Sequence, residues 1–283
     1  MLDSPFFRCA CLIFAKSREK TFDGARIAAE LRIFVTNLYA MQILRHIILA
    51  VALAATSLGA CAAGPSSARA ALGKPDLEAI HAATTDEHSQ YYYPTLLRAF
   101  LRNDTTMTNV EYQYFYYGTL FQEDFDPYRK PSDPERLEAL APLFSKHDLS
   151  PAERQSVLDY TTQAVEEDPV NLRQLNNRIF AYEQKGSTNL ARIWQNKLNH
   201  LLLVIAASGT GADMENAWIV VSPQHEYDFL NLKGIKATQH RYEPPHYDYI
   251  EVEHADKQPA GYYFNIEELL KQYFLKHPSE LQQ

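Results

Sequence analysis

The chain has 283 residues and a formal net charge of −8 at pH 7. Residues 71–283 are more acidic, with 19 Lys and Arg against 31 Asp and Glu, a net charge of −12. A segment this acidic, without a run of Lys or Arg, lacks the basic patch that nucleic-acid binding requires, so the composition excludes nucleic acid as a partner.

An export signal is the first feature along the chain. Arg45 precedes an uncharged apolar run over 47–58, and Leu58-Gly59-Ala60-Cys61 follows it like the cleavage site of a bacterial lipoprotein. We therefore predict a signal peptide over 41–60, acylation of Cys61, and a location in the periplasm or at the outer membrane. Removal at an Ala-x-Ala peptidase site, without acylation, is the alternative.

Residues 1–40 precede this signal and carry no targeting pattern of their own. The prediction is that they are a spurious N-terminal extension from a mis-assigned start codon upstream of Met41. A buried core helix over 47–58 is the alternative, although twelve residues are too few to cross a bilayer, which takes about 20.

The three cysteines, Cys9, Cys11 and Cys61, all precede the predicted globular part, so no disulfide framework is available there. Small residues with Pro and Ser predict a flexible tether over 61–75 and a single globular domain over 76–283.

Helical periodicity dominates the first part of this domain. The pattern predicts one helix over 77–101, a second helix begun by a capping box of Thr108 and Glu111, and an ordered irregular loop over 122–134. Its tyrosine and phenylalanine positions predict a broad buried face on the second helix.

The strongest periodic signal covers 150–207. Ser150-Pro151-Ala152-Glu153 predicts the start of a helix that ends at Glu167, and two further helices follow, separated by a break at Gly186. The spacing resembles a tetratricopeptide repeat over about one and a half units, whereas a stable array needs about three. A single helical hairpin packed on the rest of the domain is the preferred interpretation.

After Gly211 the pattern changes to short β-rich runs. Strands are predicted over 217–222, 247–253 and 261–265, followed by an amphipathic helix over 266–275. The fold class is therefore α+β: a helical N-terminal part with a tetratricopeptide-like hairpin, packed on a small, mostly antiparallel sheet.

A set of short motifs spans about 180 residues of this region in a fixed order. They are Tyr92-Tyr93-Pro94, Tyr116-Tyr117-Gly118 with Phe121-Gln122, Pro127-Tyr128-Arg129, Asn176 with Ala181-Tyr182, Ser208-Gly209, His225-Glu226-Tyr227-Asp228 with Leu230, and Tyr263-Phe264-Asn265. With these motifs the chain resembles domain-of-unknown-function family 4919, a family of exported bacterial proteins. The resemblance implies no established activity and no catalytic residues.

Candidate chemistry centres on His225, Glu226 and Asp228, because a histidine beside carboxylates can act as an acid or base or bind a metal. Neighbours on an extended chain point to opposite faces, so these three would converge only if Pro223 introduces a turn. A turn with ordinary hydrogen bonding is the preferred interpretation. His246, Asp248 and His254 share a predicted strand face but are too far apart for one ion, and no catalytic residue, metal site or cofactor is assigned.

Seventeen tyrosines follow residue 70, and exposed tyrosine rings bind sugars and peptides well. Core packing is the simpler interpretation of their periodic spacing. Two functions remain: a non-catalytic cell-envelope module that binds a peptide, a glycan or a partner protein, and a hydrolase or metal-dependent enzyme that uses His225 and nearby carboxylates. The pattern leaves the oligomeric state open, and it predicts membrane contact only through a lipid anchor.

Overall fold

The computed structural model describes residues 72–253 and 260–282. The predicted extension over 1–40, the signal peptide over 41–60 and the lipidation candidate Cys61 lie outside the described residues. Leu72, near the end of the predicted tether, packs against the hydrophobic core, and the Gly73 carbonyl accepts a 2.8 Å hydrogen bond from Gln113 Nε2.

Nine α-helices and four strands make up the described part of the chain. The helices are α1 Leu77–Thr85, α2 Tyr93–Leu101, α3 Asn109–Gly118, α4 Pro134–Leu140, α5 Pro151–Glu167, α6 Leu172–Gln184, α7 Thr188–Ala207, α8 Pro223–Leu232 and α9 Glu267–Lys276. The strands are β1 Trp218–Ile219, β2 Ala237–Glu243, β3 Tyr247–Val252 and β4 Gly261–Asn265. The predicted α+β class is confirmed.

Side-chain caps begin the helices that the pattern predicts best. Thr108 and Glu111 form a complete capping box on α3, and Ser150 and Glu153 form one on α5. Each box supplies partners for backbone N–H groups that a first helical turn leaves free. Gly186, at φ +74°, ends α6 in the left-handed region that glycine adopts without steric cost.

The single helix predicted over 77–101 is wrong, because the segment forms α1 and α2 with a turn between them. Asp86 accepts a 2.9 Å hydrogen bond from the His88 amide, and the Tyr91 amide donates to the Ser89 hydroxyl at 3.0 Å. These local bonds compete with the helix, and Pro94 then fits the first turn of α2. The irregular loop predicted over 122–134 is confirmed up to Asp133, the N-cap of α4.

Aromatic rings fill the core between α2, α3 and α7. Phe100 stacks on Phe115 with ring centroids 4.6 Å apart and meets Trp194 edge-on at 5.9 Å. Tyr116 and Tyr117 of α3 are fully buried. Tyrosines of the predicted aromatic face therefore pack inside the domain, and α5, α6 and α7 continue the helical layer as three consecutive packed helices. Their tetratricopeptide-like character stays a prediction.

The sheet has the strand order β1-β4-β3-β2. β1 pairs with β4 in parallel, and the two other pairs are antiparallel. The predicted sheet is thus confirmed as small and mostly antiparallel, although β1 is shorter than the predicted strand and β2 was not predicted. One face of β3 is buried and bears Asp248, Ile250 and Val252.

No helix among the described residues is long and apolar enough to cross a membrane.

Lys197 of α7 is a buried charge in the helical core, with 1% of its surface exposed. Its Nζ donates to the carbonyl oxygens of Phe100 and Arg102 at the end of α2, and lies 4.2 Å from the centre of the Trp194 ring. These contacts favour a positive charge at the negative end of the α2 dipole. Burial acts against them and lowers the pKa of Lys197 to about 8.

This buried lysine predicts a specific pH dependence of stability. Between pH 8 and 9.5 the folded state loses the Lys197 proton while the unfolded state keeps it, so the free energy of unfolding should rise with pH. Lys197→Met should remove this rise. Urea unfolding at several pH values measures it, with the exposed Lys185→Met as control, and an equal rise in the Lys197 variant would contradict the assignment.

Candidate functional site

Helix α8 carries the predicted candidate residues. Ser222 caps it by accepting a hydrogen bond from the Gln224 amide, and Pro223 occupies its first turn. The prediction of a turn around His225, Glu226 and Asp228 is therefore wrong, because all three residues lie within a ten-residue helix. Successive helical residues are rotated by about 100°, so His225, Glu226 and Asp228 point in three directions.

His225 faces α3. Its Nδ1 lies 2.9 Å from the Tyr116 hydroxyl, which also accepts a 3.4 Å hydrogen bond from the Val221 amide. Because the hydroxyl accepts from Val221, its own proton is available for His225 Nδ1. Burial lowers the pKa of His225 to about 3, so the ring is neutral near pH 7. Within the described residues, His225 makes no ion pair with a carboxylate.

Asp228 faces α6. Arg173 Nε and Nη2 donate to its Oδ1 at 3.0 and 2.7 Å, and Gln224 Nε2 donates to Oδ2 at 3.2 Å. Burial raises the pKa of Asp228, while the Arg173 guanidinium and the Gln224 amide act to lower it. Asp228 is therefore a fully partnered contact between two helices.

Glu226 faces the sheet. It is 1% exposed, and one of its carboxyl oxygens lies in a group with Asp248 of β3 and His240 of β2, in which one ligand atom from each residue lies within 4.8 Å of the other two. His240 Nε2 is 2.8 Å from Asp248 Oδ1. This group, the Glu226–His240–Asp248 cluster, combines an imidazole with two carboxylates, a donor set that suits a divalent metal ion.

Electrostatics in this cluster are dominated by burial and by like charge. Burial, and next the neighbouring Asp248 carboxyl, raise the pKa of Glu226 well above its usual value. The hydrogen bond to Asp248 raises the pKa of His240. Glu226 Oε1 is buried and has no hydrogen-bond partner.

A small polar cleft lies beside the N-terminal end of α8. It is lined by the loop over 122–129, the α5–α6 turn over 167–171 and the start of α8, and its volume is about 80 Å³. Four carboxylates line it, from Asp124, Asp126, Glu167 and Asp168, against one guanidinium, from Arg129. We refer to it as the acidic cleft.

Arg129 shapes one wall of the acidic cleft. Its Nη2 donates to Asp124 Oδ2 at 3.0 Å and to the Asp124 carbonyl, and its Nη1 donates to the Glu167 carbonyl at 2.7 Å. Arg129 thus joins the loop to the end of α5. Burial raises the pKa of Asp168, whose Oδ2 accepts from Asn171 at 3.1 Å.

The predicted candidates are thus separated, and one participant was missed. His225, Glu226 and Asp228 contact three different sets of partners. His246 lies 3.4 Å from Glu267, and His254 lies outside the described residues. His240 carries no signal in the sequence, because β2 is mostly exposed and shows no alternation of apolar and polar residues. The Pro244-Pro245 pair after it is a turn signal that indicates the hairpin.

The pairing of Arg173 with Asp228 predicts a test of its structural role. Arg173→Met should lower the free energy of unfolding by about 1–3 kcal/mol, because it leaves a buried carboxylate with Gln224 as its remaining partner. Adding Asp228→Asn should recover at least half of that loss. Urea unfolding measures both, with the exposed Arg192→Met as control; a loss no larger than that of the control would show that Asp228 does not depend on Arg173.

Comparison with known proteins agrees with the resemblance seen in the motifs. No curated protein and no solved structure matches the chain. One family model matches residues 78–274, well over half of the chain, and these residues include every element from α2 to β4 and all three members of the Glu226–His240–Asp248 cluster. The chain therefore belongs to the family described as Domain of unknown function (DUF4919).

Proposed function

We propose that this protein is a non-catalytic binding module of the bacterial cell envelope, held at the membrane by an acylated Cys61. Its ligand is a peptide or partner protein that inserts one basic side chain into the acidic cleft. The observation that carries the proposal is the excess of carboxylates over cations in the lining of a small cleft.

Charge supports a basic ligand. The four carboxylates of the cleft face one guanidinium, and that guanidinium already donates to Asp124 and to the Glu167 carbonyl. A carboxylate offers about four acceptor sites, so Asp126, with one amide donor from Tyr128, keeps acceptor capacity. An ammonium or guanidinium group would satisfy that capacity with charge-assisted hydrogen bonds.

The small volume of the cleft supports a ligand that inserts a single side chain. The cleft volume of about 80 Å³ is far below the roughly 300–1,000 Å³ of pockets that hold drug-sized ligands. A sugar would also need accessible aromatic rings in the cleft, but Tyr93 and Phe125 of its lining are only 7% and 6% exposed. A peptide or protein ligand is therefore favoured over a glycan.

The chemistry of His225 favours binding over hydrolysis by this residue. A general base needs a pKa near the working pH, together with a partner that orients it. Burial holds the pKa of His225 at about 3, and its partner is the Tyr116 hydroxyl. The alternative of an enzyme built on His225 and nearby carboxylates has no comparable geometric support.

A lysine peptide tests the proposed ligand. Acetyl-Gly-Gly-Lys-Gly-Gly-amide should shift backbone NMR signals of residues 122–129 and 167–171 in a saturable titration, and the Nε-acetyl-lysine version should not. Asp126→Asn with Asp168→Asn should raise the Kd about tenfold, equivalent to roughly 1.4 kcal/mol.

Asp148→Asn provides the matched control for this titration, because Asp148 is an exposed carboxylate that does not line the acidic cleft. It should bind the lysine peptide like the wild type. Equal binding of the acetylated peptide, or no saturable binding of the lysine peptide, would contradict the proposed ligand class.

Mass spectrometry of the native protein tests the location. We expect an N terminus at Cys61 that carries diacylglycerol, and a protein that fractionates with membranes. Cys61→Ser should abolish the lipid modification. A soluble native protein that keeps residues 1–60 would contradict the envelope location while leaving the peptide titration to be judged separately.

A further inference from the structure

Three separate elements bring together the Glu226–His240–Asp248 cluster. Glu226 comes from the first turns of α8, Asp248 from the central strand β3, and His240 from the edge strand β2. Glu226 and Asp248 are 1% and 5% exposed, whereas the His240 side chain is 40% exposed. The cluster thus has a buried floor of two carboxylates and one side that opens to solvent.

Glu226 is the member that ordinary packing does not explain. Its Oε1 is buried without a hydrogen-bond partner, and its carboxyl faces a second buried carboxyl. The ion pairs of the described residues give it no Lys or Arg, in contrast to Asp228 two residues later, which Arg173 neutralises. A buried polar atom without a hydrogen-bond partner destabilises the folded state, and more so when it is charged.

A divalent cation would give Glu226 the partner that it lacks and would offset the negative charge of the two carboxylates. With both carboxylates ionised and His240 neutral, the cluster carries a charge of −2, which one divalent ion balances. We propose that Glu226, His240 and Asp248 bind a divalent transition-metal ion of the Zn²⁺ type, with His240 Nε2 and one oxygen from each carboxylate as ligands.

The distances allow this coordination after side-chain movements of up to about 1.4 Å. Zn²⁺ binds imidazole nitrogen and carboxylate oxygen at about 2.0–2.2 Å, so two ligands at a tetrahedral angle lie about 3.4 Å apart. The ligand atoms here lie within 4.8 Å of one another, and the contact between His240 and Asp248 is 2.8 Å. Of the three ligands, the half-exposed His240 ring has the most room to move.

The donor set also selects among ions. Ca²⁺ takes about six to eight oxygen ligands, whereas this cluster offers two carboxylates and an imidazole. Imidazole with carboxylate suits Zn²⁺ and its first-row neighbours. Three protein ligands on Zn²⁺ leave the fourth position for water, and the exposed side of His240 leaves room for it.

The competing explanation is a carboxyl pair that shares a proton. In that case Glu226 stays protonated and donates to Asp248, and His240 acts as an ion-pair partner of Asp248. The two explanations differ in one measurable respect: a proton-sharing pair binds no metal, and a glutamine can replace its protonated member.

Isothermal titration of the chelator-treated full chain with ZnCl₂ tests the proposal. The wild type should bind one Zn²⁺ per chain at this cluster and should show no comparable site for CaCl₂. Glu226→Gln and His240→Ala should each raise the Kd for Zn²⁺ by at least 100-fold, because losing a ligand costs more than the 10–100-fold loss typical of its supporting contacts.

His246→Ala is the matched control, since His246 lies in the turn between β2 and β3 but pairs with Glu267. It should keep the wild-type Kd. Thermal melts with and without Zn²⁺ give a second readout: the metal should raise the Tm of the wild type and of His246→Ala, and should leave that of Glu226→Gln unchanged.

The proposal is overturned if the wild type binds no Zn²⁺, or if Glu226→Gln and His240→Ala bind it as tightly as the wild type. The side-chain amide that Glu226→Gln introduces can donate to Asp248 in place of the shared proton, so this variant should fold. Should it not fold, His240→Ala alone decides, because an exposed edge-strand position tolerates substitution.

Discussion

Helix α8 buries three polar side chains in three directions, and the surrounding fold depends on partnering them. A buried polar group without a partner costs free energy comparable to the net gain from several hydrogen bonds. Helix α3 supplies Tyr116 for His225, and helix α6 supplies Arg173 for Asp228. The sheet places Asp248 and His240 beside Glu226, whose Oε1 has no hydrogen-bond partner. One helix therefore connects the helical layer to the sheet through polar contacts.

This arrangement separates structural from functional candidates on the same helix. Asp228 is neutralised by a guanidinium, and His225 is held neutral by burial against a hydroxyl, so both are complete without a ligand. Glu226 retains an unpartnered oxygen inside a group of metal-ligand type. The acidic cleft begins at the start of α8, where His225 lines its wall. The two proposed sites thus share a helix but use different side chains.

Local signals predicted the elements that carry them. The capping boxes at Thr108 and Ser150 predicted the starts of α3 and α5, and the alternation around Ile250 predicted β3 and its buried face. These features depend on neighbours within about four residues, so the sequence alone is enough to predict them. The break between α1 and α2 was missed because short side-chain bonds from Asp86 and Ser89 compete with an apolar period that continues through them.

The site could not be predicted in the same way. Helix α8 buries polar residues, so an apolar period was absent where the helix begins, and β2 is exposed along most of its length. Residues 226, 240 and 248 come from three elements and have no motif spacing. Their convergence depends on packing α8 against a sheet in which His240 lies diagonally across from Asp248. Tertiary contacts of this kind are visible only in three dimensions.

The most direct test of this account is the protonation state of His225, recorded by ¹⁵N NMR of the histidine rings between pH 7 and pH 4.5. If α8 is enclosed as described, the His225 ring stays neutral throughout that range, because burial lowers its pKa to about 3. A His225 ring that takes up a proton near pH 6.5, as an exposed histidine does, would contradict the burial of α8 and with it the placement of Glu226 against the sheet.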